Sequence, residues 1–353
     1  MSEPLDHDRP LWQMHLFPTI GEPGHWGLVW IIHHTIADGQ GVSVLVGYFL
    51  DLAPEGAPTM TEAALDFAHQ KLDKKEAEAN DSSGLVDNVV GQLSSSFDQL
   101  KSTAMRTPAT IKTFSDLRPK LPSQFTGVAS DGRSNVCVSA PLSDAKRTGK
   151  AVGSTVNDVV MAAVASSFTE LLRADGGEVE GRQIRCLMPV SMRDPRNEDI
   201  NNQVVVAPVV LPLGIDDPVE RLKVIHQATN QTKTSLQPLI TDQVAGLASR
   251  WLPNALQAAG SAAFGAVADL FCDTLLTNVP GPQFPLYFMG RHIVASFAIM
   301  PVVTPLLFLV AITSYDGAMN ISVTSDDEHW DDAIALAEGI RDSLNEMAMF
   351  LAT

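Results

Sequence analysis

Residues 27–39 read GLVWIIHHTIADG, an apolar run rich in aromatic and β-branched side chains that ends on His33 and His34 and passes through Thr35–Ile36–Ala37 to Asp38 and Gly39. Gly27–His33 lacks strict polar–apolar alternation, as expected of a strand covered on both faces. A helix is expected from Gln40 through VSVLVGYFLDL. The histidines therefore stand where a buried strand gives way to a helix, a position from which side chains face a crevice in α/β folds. A neutral imidazole takes a proton from a hydroxyl near pH 7 because its ordinary pKa lies close by. Asp38 orients such a loop by hydrogen bonds or an ion pair, and Gly39 permits a tight or left-handed turn. Two His, an Asp and a Gly at these offsets arise by chance in roughly one chain in a thousand of this length. The competing reading is a strand-end histidine pair satisfied by hydrogen bonds.

Working outward, Gln13–Ile20 reads as a partner strand, separated from the first by the turn-forming Gly21–Glu22–Pro23–Gly24. Residues 61–80 form a charged, alanine-rich helical segment, and 84–105 are serine-rich and weakly amphipathic. Thr107–Arg133 holds prolines, glycines and serines with little periodicity and is expected to be a linker, which divides the chain into 1–106, 107–133 and 134–353. Beyond it, strands are expected at Asn135–Ala140, Gln183–Met192, Gln203–Leu213, Thr274–Val279, Leu286–Ala298, Leu306–Ser314 and Met319–Ser325. Helices are expected at Leu142–Ala151, from a Ser154 cap to about Ala174, at Pro218–Leu236, on through the apolar stretch to Leu270, and after Trp330. The pattern is that of a two-part α/β protein with mixed sheets.

Composition narrows the function. Lysine and arginine total 24 against 41 acids, a net charge of −17, so duplex nucleic-acid binding through a general basic surface is disfavoured. Cys137, Cys186 and Cys272 are far apart and form no CxxC pair, which argues against a disulfide framework or a cysteine-rich zinc site and favours a reducing compartment. The remaining histidines lack metal-ligand spacing, and no HExxH, phosphate-binding loop or dinucleotide fingerprint occurs, so no metal is expected. Phe297–Thr313 is the most membrane-like stretch, but it falls short of the roughly 20 residues a span needs and carries Pro301 and Pro305.

HHTIADG resembles the HHxxxDG signature of the CoA-dependent acyltransferase superfamily, and the rest of the chain resembles bacterial wax ester synthase/diacylglycerol acyltransferases within it. The supporting segments are Pro4–Leu5–Asp6 with Arg9–Pro10–Leu11–Trp12 (PLD…RPLW), Val156–Asn157–Asp158–Val159–Val160 (VNDVV), Pro189–Val190–Ser191–Met192–Arg193 (PVSxR), Asn202–Gln203 with Leu211–Pro212–Leu213 (NQ…LPL) and Asn278–Val279–Pro280–Gly281–Pro282 (NVPGP). They run in family order over nearly the whole chain. The resemblance implies a two-part fold like that of chloramphenicol acetyltransferase. Family members usually carry about a hundred further residues ahead of RPLW. The N-terminal half is therefore expected to be incomplete, leaving Asp38 without its usual arginine or with Arg193 or Arg9 in its place.

The implied activity is transfer of a long-chain acyl group from acyl-CoA, used as a substrate with no further cofactor, to diacylglycerol or a fatty alcohol. His34 would be the general base, His33 a buttress of the loop, Asp38 the holder of its geometry and Gly39 the turn. Asn157, Asp158, Asn278 and Arg193 are candidates for the oxyanion or for substrate contacts. Asn157–Asp158 reads equally as polar groups in a first helical turn, where Asp158 favours the helix dipole. A cytoplasmic protein is expected, peripherally associated with the inner membrane or with lipid inclusions. Two rival functions remain: a condensation-type N-acyltransferase, and a truncated, catalytically silent protein that binds acyl lipids.

Overall fold

The computed structural model describes residues 5–6, 8–21, 23–33, 49–54, 124–191, 204–241, 272–302 and 304–350. Its main body is a six-stranded mixed sheet. Strands β3 (Ser134–Pro141), β4 (Gln183–Ser191), β5 (Val204–Pro212), β6 (Thr274–Pro280), β9 (Leu309–Tyr315) and β10 (Ala318–Ser325) lie in the order β3-β10-β9-β6-β4-β5. Antiparallel pairs stand at both flanks, β3/β10/β9 and β4/β5, whereas β6 is parallel to β4 and to β9. The β9–β10 hairpin turns on Asp316–Gly317, both at positive φ (44° and 81°), the pairing that a two-residue turn matched to strand twist demands.

β10 shows how the sheet is covered on both sides. Met319, Ile321 and Val323 enter the apolar core, whereas Asn320, Ser322 and Thr324 point to the opposite face and are equally buried. That second face is tied by hydrogen bonds. Ser139 donates to Asn320, Thr324 donates to Asn135, and Ser322 donates to the Ala298 carbonyl.

Four helices accompany this sheet among the described residues: α1 (Leu142–Val152), α2 (Val156–Ala174), α3 (Pro218–Thr241) and α4 (Trp330–Phe350). α2 is buried along most of its length and packs on α4. A Cβ at Gly339 of α4 would come within 2.6 Å of Ser167 Oγ, so a glycine lets the two helices close up while Ser167 donates to the Leu336 carbonyl. No single described helix is long and apolar enough to cross a membrane. Phe125, Phe168 and Phe308 meet edge-on at 4.7 and 6.4 Å. Phe125 belongs to the 107–133 stretch expected to be a linker. Its burial, with the Thr126–Leu306 bridge, makes the end of that stretch part of the core.

The N-terminal residues form an antiparallel hairpin of β1 (Trp12–Phe17) and β2 (Gly27–Ile32). Its register puts Trp12, Met14 and Leu16 on one face with Ile32, Trp30 and Leu28, an entirely apolar face. Trp12, Leu16 and Leu28 are exposed on it. The hairpin meets the main body through Trp26, which packs on Phe288 and under the Arg291 guanidinium. Nearby, Asp51 and Tyr287 exchange backbone hydrogen bonds of 2.7 and 2.8 Å.

Two local expectations are corrected. A strand over Leu286–Ala298 is replaced by the short β7 (Tyr287–Phe288) and β8 (Arg291–His292), because Met289 and Gly290, at φ 50° and 77°, fold the chain back on itself. The cap of α2 is Thr155, not Ser154. Thr155 is extended and closes a reciprocal capping box with Asp158. The helix expected at 61–80, the serine-rich stretch 84–105 and the apolar stretch from 251 to 270 lie outside the described residues.

Candidate active site at one end of the sheet

β4, β6 and β9 run in the same direction, so their C-terminal ends share one edge of the body. PVSxR begins in the last residues of β4, and the start of β5 lies opposite, with Ser191 paired to Val204. NVPGP closes β6 at that same end. The first turn of α2 reaches it as well. Segments scattered over more than a hundred residues of sequence thus converge where open α/β sheets place ligands, outside the carboxyl ends of parallel strands.

Asn278 and Asn157 meet there: Asn278 Nδ2 donates to Asn157 Oδ1 at 2.7 Å, and both side chains are half-buried. One hydrogen bond between two amides leaves one NH2 and one carbonyl oxygen outside that bond, whichever way round the pair is assigned. Such a pair can stabilise a developing oxyanion through the donor and hold an O–H or N–H through the acceptor.

The glycine of NVPGP has a steric reason. A Cβ at Gly281 would lie 2.3 Å from the Ser314 carbonyl oxygen at the end of β9. Only a bare backbone lets the two strand ends approach this closely. The Gly281 N–H donates to Ser314 Oγ, and the Gln283 amide donates to both the Gly281 carbonyl and Ser314 Oγ.

Asp158 does not fill the role of substrate or oxyanion contact. It is 1% exposed. Its carboxylate accepts from the Thr155 N–H (2.8 Å), the Thr155 hydroxyl (2.9 Å), the Thr229 hydroxyl (2.7 Å) and His226 Nδ1 (2.8 Å). Burial alone pushes this carboxyl up. The hydrogen bonds from the Thr155 N–H, Thr229, His226 and the Thr155 hydroxyl outweigh it and hold the group below the ordinary aspartate value. Saturated by donors and negatively charged, Asp158 would repel an oxyanion; it anchors α2.

Of the HHTIADG stretch, His33 is the last described residue; its backbone N–H donates to the Leu11 carbonyl at 2.9 Å and so prolongs the β1–β2 pairing. His34, Asp38, Gly39 and Arg193 lie outside the described residues. Arg9 stands 3.4 Å from Asp6, both well exposed. Among the described residues no cluster of three His, Cys, Asp or Glu is arranged to hold a metal ion. A cleft of about 590 Å³ between α2 and α4 includes Ser166, Thr169, Arg221 and Glu346. Ser167, on its wall, lies about 15 Å along α2 from Asn157 at 1.5 Å per residue, so this cleft is separate from the converging segments.

His226 carried no signal in the sequence. Its partner Asp158 is 68 residues away, and only the packing of α3 on α2 brings the two together.

Comparison with known proteins gives concordant results. The family model described as wax ester synthase/diacylglycerol acyltransferase catalytic domain matches residues 1–160, and the WS/DGAT C-terminal domain model matches residues 200–348. A Mycobacterium tuberculosis protein named "Probable diacyglycerol O-acyltransferase tgs1" is 25% identical over 345 residues, covering 98% of this chain and 73% of the relative. The solved wax ester synthase/diacylglycerol acyltransferase from Marinobacter aquaeolei VT8 superposes with a TM-score of 0.65 at 19% identity, covering 100% of this chain and 74% of that one. At that identity the superposition speaks for the fold.

Proposed function

The chain belongs to the wax ester synthase/diacylglycerol acyltransferase family, and from that premise we propose that it joins a long-chain acyl group from acyl-CoA to diacylglycerol or a fatty alcohol. The observation that carries this reading is the catalytic-domain match over residues 1–160, a span that contains HHTIADG. The product is triacylglycerol or a wax ester. In the proposed reaction His34 takes the proton of the acceptor hydroxyl as its oxygen attacks the thioester carbonyl. A C–O bond forms, the tetrahedral oxyanion collapses, and the C–S bond breaks. The proton passes from His34 to the departing thiolate, giving free CoA. A thiolate leaves readily, so direct attack within a ternary complex suffices without an acyl-enzyme.

The NH2 of the Asn157–Asn278 pair that this bond leaves over is suited to the oxyanion, and the remaining carbonyl oxygen to a substrate donor. We assign His33, Asp38 and Gly39 to the shape of the loop and Arg193 to contact with CoA phosphate or with Asp38. Residues 1–106 and 134–353 are the two halves that would flank the reaction. The exposed apolar face of the β1–β2 hairpin, with Trp12, Leu16 and Leu28, supports contact with lipid, and we propose a cytoplasmic placement at the surface of the inner membrane or of a lipid inclusion.

Thiol release from palmitoyl-CoA, measured with hexadecanol and dioleoylglycerol side by side, tests the reaction and ranks the acceptors. His34→Ala is expected to abolish release with an unchanged circular-dichroism spectrum. Full activity in that variant would remove His34 from the mechanism.

A further inference from the structure

The first turn of α2 is held from two sides. On one, Asn157 reaches β6 and bonds Asn278. On the other, the adjoining Asp158 is gripped by α3 through His226 Nδ1 at 2.8 Å and the Thr229 hydroxyl at 2.7 Å. The local capping box fixes where the helix begins, but it involves only residues of that same turn and leaves the setting of α2 against its neighbours open. Among the described residues, the two bonds from α3 are the polar contacts that reach Asp158 from another element.

His226 is itself oriented. The Asn230 amide nitrogen lies 2.9 Å from its Nε2, which makes Nε2 the acceptor and places the ring proton on Nδ1, facing the carboxylate. The ring is thus fixed at both nitrogens, by a side chain one helical turn away and by a carboxylate 68 residues away.

We propose that His226 is a positioning residue for acyl transfer: by holding Asp158 from α3 it sets the first turn of α2, so that Asn157 meets Asn278 and the amide pair faces the reacting carbonyl. Only the kinetic part of this proposal rests on the acyl-transfer reading; the structural part, that His226 controls the Asn157–Asn278 contact, stands apart from it. Misplacing a polar group by an ångström costs roughly a hundredfold in rate, so a loosened turn is expected to act on kcat more than on KM.

The experiment uses the full chain labelled with 15N-asparagine. The side-chain amide signals of Asn157 and Asn278 are identified by their loss in Asn157→Ala and Asn278→Ala. In His226→Leu both signals are expected to move. In His226→Asn, whose amide nitrogen stands the same number of bonds from the backbone as Nδ1, they are expected to return toward their original positions. The same variants are then assayed by thiol release from palmitoyl-CoA. His226→Leu is expected to lose roughly tenfold to a hundredfold in kcat with KM little changed, and His226→Asn to recover most of it. In the Asn157→Ala background His226→Leu should cost little more, because its effect passes through Asn157. Unmoved amide signals, or full additivity with Asn157→Ala, overturn the proposal. Signals that move in His226→Leu, together with a wild-type protein that transfers no acyl group, overturn the acyl-transfer reading and leave the positioning contact standing.

Discussion

Asp158 sits in a family motif, yet its environment makes it a structural charge. Four donors converge on a carboxylate that is 1% exposed. Asp158→Asn turns part of that acceptor into a donor and is expected to cost about 2–3 kcal/mol, a fall in Tm of roughly 3–4 °C by thermal melt. Asp326, also buried, shows the same logic. Burial raises its carboxyl, but the Ser130 N–H and His329 hold it below the ordinary value. A carboxyl depressed in the folded state stabilises the fold above its unfolded pKa and loses that contribution as pH falls through the folded one. Stability at neutral pH should therefore hold down to about pH 4 and drop below it. Chemical denaturation across pH 2–6 should give a shallower drop for Asp158→Asn. From sequence, Asn157 and Asp158 looked alike as site candidates. What separates them is where each side chain points: Asn157 to β6, Asp158 to α3, and that depends on packing between elements distant in the chain.

Elements with a strong local pattern were legible. The strands expected over Leu306–Ser314 and Met319–Ser325 are found as β9 and β10, whereas their pairing through the Asp316–Gly317 turn emerged only in the structure. The strand expected over Leu286–Ala298 failed because its hydrophobicity is real but its backbone reverses at Met289, a non-glycine residue at positive φ that residue preference does not announce. The β1–β2 hairpin was legible as two strands, whereas its wholly apolar face required the register that pairs Leu16 with Leu28. If that face meets lipid, Leu16→Glu and Leu28→Glu together should reduce co-sedimentation with vesicles bearing dioleoylglycerol by about thirtyfold or more, since each charged side chain costs upward of about 1 kcal/mol at an apolar boundary. Turnover of a short, water-soluble acceptor should change little. Equal losses on both would point to damage within the hairpin itself.

At the scale of the whole molecule, the gap between the two family models, residues 161–199, does not coincide with a boundary of the fold. It opens inside α2 and contains β4, so β3, α1 and most of the sheet's central support lie on different sides of it. A fragment of residues 200–348 would lack β3 beside β10 and β4 between β5 and β6, exposing unpaired edges and the core face that α2 covers. It is expected to show no cooperative thermal transition, whereas residues 124–350, which hold all six strands, should melt in one step. The order of motifs made the family legible because it is a linear property; the single sheet that ignores the motif boundaries was not, since strand order is decided by which edges meet. The bare backbone of Gly281 against Ser314 has a last consequence. It staples the ends of β6 and β9, so even one methyl group at position 281 would have to push the two strand ends apart.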